Sequence, residues 1–480
     1  MTFNAALKME TTGNEALDRI LGGGIPSQSV NVIAGEPGSG KTILTLQMLF
    51  HAARRGKKCL YFTTLSEPAI KVVRYMQSFD FFDEAVLDKQ IHFSDLSAAI
   101  RQGPEATTAE LIARIERHEP DFVAIDSFRA VAEFFRQPDS TRAFVYDIAT
   151  QFASWGTTAL LVGEYVREEF SDFAEFAVAD GIVRLGSQQQ GLTSLREVEV
   201  LKLRGSAYVS GRHFFDIGPT GIRVYPRVRS PESTESAPAI SDRIKTGVAG
   251  IDSLLDGGLP RTSSTIVEGG SGTGKTVLAL NFLLEGVRGG EKVVLFTLEE
   301  TPDQLRAIAT GLGWDLAALE KEGRLVIHYV SPVELSTDRY LNDATNEVRR
   351  LGAKRVVFDS LTTMALGVPS ERRFKELVYA IAKHMRGLGA SVLMTNESHQ
   401  LLGSPQISSM GVSFAADNLI QLRYVEIDGR LDRAISVIKA RGIKLNTELR
   451  AATIGAGGMT VVSDRFKEMR GVLTGLPTKG

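Results

Sequence analysis

Two stretches of this chain are spaced for phosphate chemistry: Gly35-Glu36-Pro37-Gly38-Ser39-Gly40-Lys41-Thr42 and Gly269-Gly270-Ser271-Gly272-Thr273-Gly274-Lys275-Thr276. In each, a glycine is followed by four residues and then Gly-Lys-Thr. Gly38, Ser39 and Gly40, and Gly272, Thr273 and Gly274, let backbone N–H groups curl around phosphate oxygens. Lys41 and Lys275 reach the terminal phosphates, and the Thr42 and Thr276 hydroxyls suit Mg²⁺. ATP and Mg²⁺ are therefore expected at two separate sites.

The surrounding elements support that chemistry. Residues 30–34 and 265–267 read as strands running into the loops. Residues 43–48 and the run opened by Val277 read as helices leaving them, with N-termini aimed at the anion. The similarity extends well beyond the loops. Upstream, Thr12-Gly13, Asp18, Gly23-Gly24 and Pro26 recur as Thr246-Gly247, Asp252, Gly257-Gly258 and Pro260. Downstream, the segment ending Asp126-Ser127 recurs as the one ending Asp359-Ser360, and Lys202-Leu203-Arg204-Gly205 recurs as Lys439-Ala440-Arg441-Gly442. This is one domain duplicated. The expected organisation is a first domain over 1–228, a polar, proline-bearing linker over 229–241, and a second domain over 242–480 that includes a short tail. Short apolar strands alternate with helical patterns in each copy, which predicts α/β domains with a mostly parallel sheet covered by helices.

In that arrangement Asp126 and Asp359 end apolar strands where a second carboxylate assists the Mg²⁺. The copies diverge nearby. The second has Phe296-Thr297-Leu298-Glu299-Glu300-Thr301-Pro302, with Glu299 and Glu300 placed to orient or deprotonate an attacking oxygen and to assist the metal. The first has Leu65-Ser66-Glu67-Pro68, leaving Glu67 as the carboxylate of that segment. The matched cations, Lys202 with Arg204 and Lys439 with Arg441, alternate along strand-like segments and point together. They suit a polyphosphate completed from an adjacent subunit, and a ring follows from that geometry.

Composition narrows the classes. The chain has 480 residues, a hydrophobic fraction of 43% and a net charge of -2, so no general basic field recommends nucleic acid as a partner. The one cysteine, Cys59, has no disulfide partner and reads as core. No apolar run is long enough to span a bilayer and the N-terminus lacks a secretory pattern, so a cytoplasmic protein is expected.

Taken together, the double cassette, Phe296-Thr297-Leu298-Glu299-Glu300, both Lys-x-Arg-Gly segments, and Gln421-Leu422-Arg423-Tyr424-Val425-Glu426-Ile427 followed by Arg433 resemble the KaiC-like family of tandem RecA-type ATPases over almost the full length. The resemblance implies two RecA-like P-loop domains, ATP between subunits of a double-layered hexamer, slow hydrolysis in the first layer and serine autokinase activity in the second, in signalling or timing. It implies Trp314 as an adenine neighbour, Arg433, Lys439 and Arg441 as contacts from the adjoining subunit, Ser413 as the phosphate acceptor, and a KaiB-like or other signalling protein as partner. This chain departs from the family at two places. Phe414 stands where the family has a second acceptor, and Leu65-Ser66 stands where it has a glutamate pair. Ser408 and Ser409 are alternative acceptors. Two further readings compete: an ATP-gated assembly without phosphotransfer, and a DNA-dependent RecA-type ATPase, which would need basic loops that the sequence does not concentrate.

Overall fold

The computed structural model describes residues 7–65, 67–135, 138–190, 193–227, 242–332, 335–368, 370–398, 411–427, 429–462, 466, 469–470 and 478–479. The linker expected at 229–241, Ser66, Ser408, Ser409 and most of the tail beyond Val462 fall outside them. The chain divides into two compact units, Met1–Arg227 and Val228–Gly480.

Each unit is built on a nine-stranded sheet. In the first, the strand order is Gly221–Tyr225, Arg212–Gly218, Thr193–Leu203, Gly181–Gln190, Val30–Gly35, Thr158–Glu164, Phe122–Asp126, Cys59–Thr63, Ile91–Asp95. The P-loop strand Val30–Gly35 pairs in parallel with both neighbours, while Thr193–Leu203 and the two strands beyond it run antiparallel. The second sheet repeats this pattern around Ser264–Gly269, flanked in parallel by Ser391–Glu397 and Asn418–Ile427. These are two tandem RecA-like α/β domains, as the alternation of elements predicts.

The apolar strands are buried on both faces because helices cover both. Successive side chains therefore feed different cores. Val32, Ala34, Leu60 and Phe62 pack on one side of the first sheet, and Ile33, Cys59 and Tyr61 on the other. Val294 and Phe296 separate in the same way from Val293 and Leu295 in the second. Cys59 is 1% exposed, as expected of a core residue.

The upstream repeat secures the P-loop helix. Thr12 donates from both N and Oγ1 to Asp18, at 2.8 and 2.7 Å, and Thr246 donates likewise to Asp252, at 2.7 Å for both. Between them, Gly13 and Gly247 hold φ of 80° and 81° and press against the helix. A Cβ at Gly13 would lie 2.7 Å from His51, and one at Gly247 2.7 Å from the Asn281 carbonyl. Only glycine meets both demands. The chain is thereby pinned to helices Lys41–Arg54 and Lys275–Arg288, which start at the phosphate loops.

Candidate functional site

Both phosphate loops turn through left-handed glycines, Gly38 and Gly40 at φ 72° and 97° and Gly272 and Gly274 at 72° and 103°. A side chain on Gly40 would meet Ile217 at 2.9 Å, and one on Gly274 would meet Ile454 at 2.6 Å, in a left-handed backbone that already strains any residue but glycine. Each helix N-terminus thus presents unpaired backbone N–H groups and a positive dipole end to an anion.

In the first unit Thr42 donates to Asp126 at 2.7 Å, and Tyr61 donates to the same carboxylate oxygen at 2.7 Å. Thr276 donates to Asp359 at 2.8 Å, and Thr395 donates to the other oxygen of that carboxylate. The parallel register brings these partners together across 84 and 83 residues of chain. Burial raises the pKa of both aspartates, against the lowering effect of those hydroxyls. A hydroxyl beside a buried carboxylate is a hard-oxygen donor set that fits Mg²⁺.

Lys41 donates to the Glu36 carbonyl at 2.9 Å, and Lys275 donates to the Gly269 and Gly270 carbonyls at 3.0 and 2.9 Å, so each ammonium lies along its loop. Burial lowers the Lys41 pKa, opposed by Glu164 first, then Asp126 and Glu36.

The first cleft encloses about 860 Å³ and includes Lys41, Thr42, Glu67 and Asp126. It also includes groups that sequence reasoning missed, among them Arg129 and Glu164. Six carboxylates, Glu36, Glu67, Asp126, Glu133, Glu164 and Glu169, face two cations, Lys41 and Arg129. Arg129 is already committed, pairing with Glu133 at 2.7 Å and Glu169 at 2.6 Å. Glu67 pairs with Lys71 at 3.2 Å on the helix that follows it. A tetra-anionic nucleotide there needs positive charge from outside the cleft.

In the second unit Glu299 is exposed and accepts from Ser360 at 3.2 Å, beside the strand that carries Asp359. Glu300 is half-buried, and its Oε2 has no hydrogen-bond partner. Burial, then the charges of Asp359 and Glu299, raise its pKa to about 7. A carboxyl poised near neutrality beside Lys275 has the protonation behaviour of a general base.

The remaining predicted residues divide by position. Arg433 reaches the P-loop of its own unit, donating to the Gly272 carbonyl from Nε at 3.3 Å and from Nη2 at 3.2 Å, with Tyr424 donating to the same oxygen at 2.6 Å. The resemblance implies that Arg433 contacts a neighbouring subunit; within its own unit, the strand register carries Arg433 past the residue paired with the P-loop strand, to the loop's own end of the sheet. Lys439 lies at the opposite end. It donates to the Ser413 and Ala416 carbonyls at 2.9 and 2.6 Å, and Arg441 pairs with Asp417 at 3.8 Å. The first unit repeats this, with Lys202 donating to Ala177 at 3.5 Å and Arg204 paired with Asp180 at 3.2 Å. Asp180 and Asp417 accept from the backbone N of Val30 and Ser264, the first residues of the P-loop strands. Five strand steps, about 17 Å, separate those residues from Gly35 and Gly269. Ser413 shares the far end, half-buried, and the ring of Phe414 is exposed and stacks on Tyr379.

Trp314 is 9% exposed and packs in the core of the second unit, where its ring closes on Gly458. A tryptophan at this position also reads as core from the sequence alone, but its partner does not, because Gly458 and Trp314 meet only through the last hairpin of the sheet.

A family model described as the KaiC ATPase matches residues 10–229 and again 244–465. The circadian clock oscillator protein KaiC of Picosynechococcus sp. is 29% identical over 477 residues, covering 97% of this chain and 91% of that protein. The proteins of the same name from Rippkaea orientalis and Thermostichus vulcanus are also 29% identical, covering 97% and 99% of this chain and 90% and 93% of theirs. Among the described residues, no helix is long and apolar enough to cross a membrane.

Proposed function

The chain belongs to the KaiC ATPase family, and from that premise we propose that it assembles into a ring, hexameric as in the resemblance, with Mg-ATP bound between subunits. It hydrolyses ATP in its N-terminal half and transfers phosphate to Ser413 in its C-terminal half. The observation that carries this is the separation within one unit of donor and acceptor. Lys275, Thr276, Asp359, Glu299 and Glu300 gather at one end of the sheet, while Ser413 lies at the other with Lys439 and Arg441. A unit cannot bring its own nucleotide to its own serine across about 17 Å, so transfer runs between neighbours.

In this reading Thr276 and Asp359 hold Mg²⁺, which neutralises charge on the transferring phosphoryl group. Lys275 binds the terminal phosphates, Arg433 and Tyr424 brace the loop through Gly272, and Glu300 takes the proton of the incoming Ser413 hydroxyl. Glu299, tied to Ser360, supports the metal. In the N-terminal half, Thr42 and Asp126 hold the ion, and Lys202 and Arg204 from the adjoining subunit supply the charge the acidic cleft lacks. The cytoplasm and a KaiB-like or other signalling protein partner complete the proposal.

Phe414 favours a second reading, an ATP-gated assembly without phosphotransfer, because it removes one acceptor beside Ser413. Intact mass and peptide mapping after incubation with Mg-ATP decide between them. Phosphate on Ser413 that disappears in Glu299→Gln/Glu300→Gln protein is expected. Measurable turnover with no phosphate on the chain would give the second reading preference.

A further inference from the structure

We propose that Glu164 is the carboxylate that orients and deprotonates the attacking water in the N-terminal site, with Arg129 as its positioning residue. This rests on the reading that the N-terminal half hydrolyses ATP.

Glu164 ends the strand Thr158–Glu164 and pairs in register with Gly35, the first glycine of the phosphate loop. It lines the same cleft as Lys41, Thr42 and Asp126. Four of the other five carboxylates of the cleft have prior engagements. Asp126 accepts from Thr42 and Tyr61, Glu67 pairs with Lys71, and Glu133 and Glu169 hold Arg129. Glu36 belongs to the loop itself, and its carbonyl accepts from Lys41. The Glu164 side chain is exposed to the cleft and makes no hydrogen bond or ion pair among the described residues. Because Lys41 reaches the terminal phosphates, a carboxylate that opens on its cleft from the strand end paired with Gly35 stands on the side where the γ-phosphate is attacked.

The backbone at Glu164 is clamped. Arg129 donates from Nη1 to its carbonyl at 2.6 Å, and the guanidinium lies 5.5 Å from the Tyr165 ring and 5.1 Å from that of Phe173. Tyr165 N continues the pairing to the Gly35 carbonyl at 3.3 Å. The second unit keeps the device with different residues. Glu397 pairs with Gly269, and its N–H donates at 2.7 Å to Thr362, which follows Asp359 at the same offset as Arg129 follows Asp126. There the Glu299-Glu300 pair is also present. In the first unit that pair is absent, and the strand-end glutamate is left to handle the water.

In the step, the water oxygen bonds to the γ-phosphorus as the bond from phosphorus to the β–γ bridging oxygen breaks. The bridging electron pair leaves with ADP. The water proton passes to Glu164 and then to the released phosphate or to solvent, restoring the carboxylate.

The test uses full-length Lys275→Ala protein, so that turnover comes from the first site. In that background, Glu164→Gln is expected to lower kcat by about 100-fold, while radiolabelled ATP still binds at the parent's stoichiometry. Glu67→Gln loses less than Glu164→Gln, and Arg129→Lys lowers kcat with KM little changed. Retention of turnover within about twofold in Glu164→Gln, a larger loss in Glu67→Gln, or loss of bound nucleotide along with turnover would each overturn the assignment. Parent protein that binds ATP without turning it over would instead bring down the hydrolysis reading, and the assignment with it.

Discussion

Arg433 and Lys439 lie on one strand and serve opposite ends of it: Arg433 donates to the Gly272 carbonyl of the phosphate loop, and Lys439 donates at 2.9 Å to the Ser413 carbonyl. Six residues of strand, about 20 Å, separate them. The strand therefore places one cation at its own loop and another at the end of the sheet away from that loop.

The proposed transfer between subunits can be isolated by mixing. Lys275→Ala chains are expected to lack phosphate because their loop is disabled, and Ser413→Ala chains because their acceptor is gone. Mixed assemblies should regain phosphate on Ser413 of the Lys275→Ala chains, read by peptide mapping. Mixed rings, verified by native mass spectrometry, that remain unphosphorylated would contradict the geometry.

Glu300 gives a pH dependence of defined sign. Its folded pKa of about 7 lies above the ordinary value of 4.5, for burial first and neighbouring carboxylates second. The folded state retains the proton between those values, so stability is lost as pH rises through that window. Nucleotide-free protein should show a lower Tm at pH 8 than at pH 5, and Glu300→Gln should flatten the difference. Parallel profiles for the two proteins would refute the assignment of the shift to this residue.

The two halves should turn over unequally, since Glu299 and Glu300 have no counterpart at Leu65 and Ser66. Steady-state ATPase activity of Lys41→Ala and Lys275→Ala proteins tests this directly. Equal fractional losses would show that the divergence has no kinetic effect.

Trp314→Ala should destabilise the second unit by about 3–5 kcal/mol, the usual loss for a large aromatic truncated in a packed core, visible in denaturant unfolding. Trp314→Phe should keep most of that packing and leave ATP affinity near the parent's. A large loss of ATP affinity in Trp314→Phe would place the ring against the nucleotide.

The phosphate loops were legible because their chemistry is local, with glycines, a lysine and a hydroxyl in one octapeptide. The aspartates were legible because strands that end at a parallel sheet's ligand edge announce themselves as apolar runs closed by a carboxylate. Glu164 and Arg129 were not. They reach the loop through strand order, which places Thr158–Glu164 beside Val30–Gly35 even though the two are far apart in sequence. The contact of Arg433 with its own loop was not legible for a similar reason: its distance from that loop is set by antiparallel register, which the pattern of charges along the strand does not encode. Trp314 is of a type that suits either a core or a ring-stacking role, and its contact with Gly458 was not legible because it is made across the last hairpin of the sheet.

The acidic excess of the N-terminal cleft has a consequence for the assembly as a whole. If the missing charge comes from Lys202 and Arg204 of a neighbour, nucleotide and subunit are each other's effectors: ATP draws chains together, and each new contact tightens ATP by the same factor. Occupancy then reports chain concentration as well as ATP concentration. Dilution alone would discharge the sites, so that the protein would respond to its own abundance.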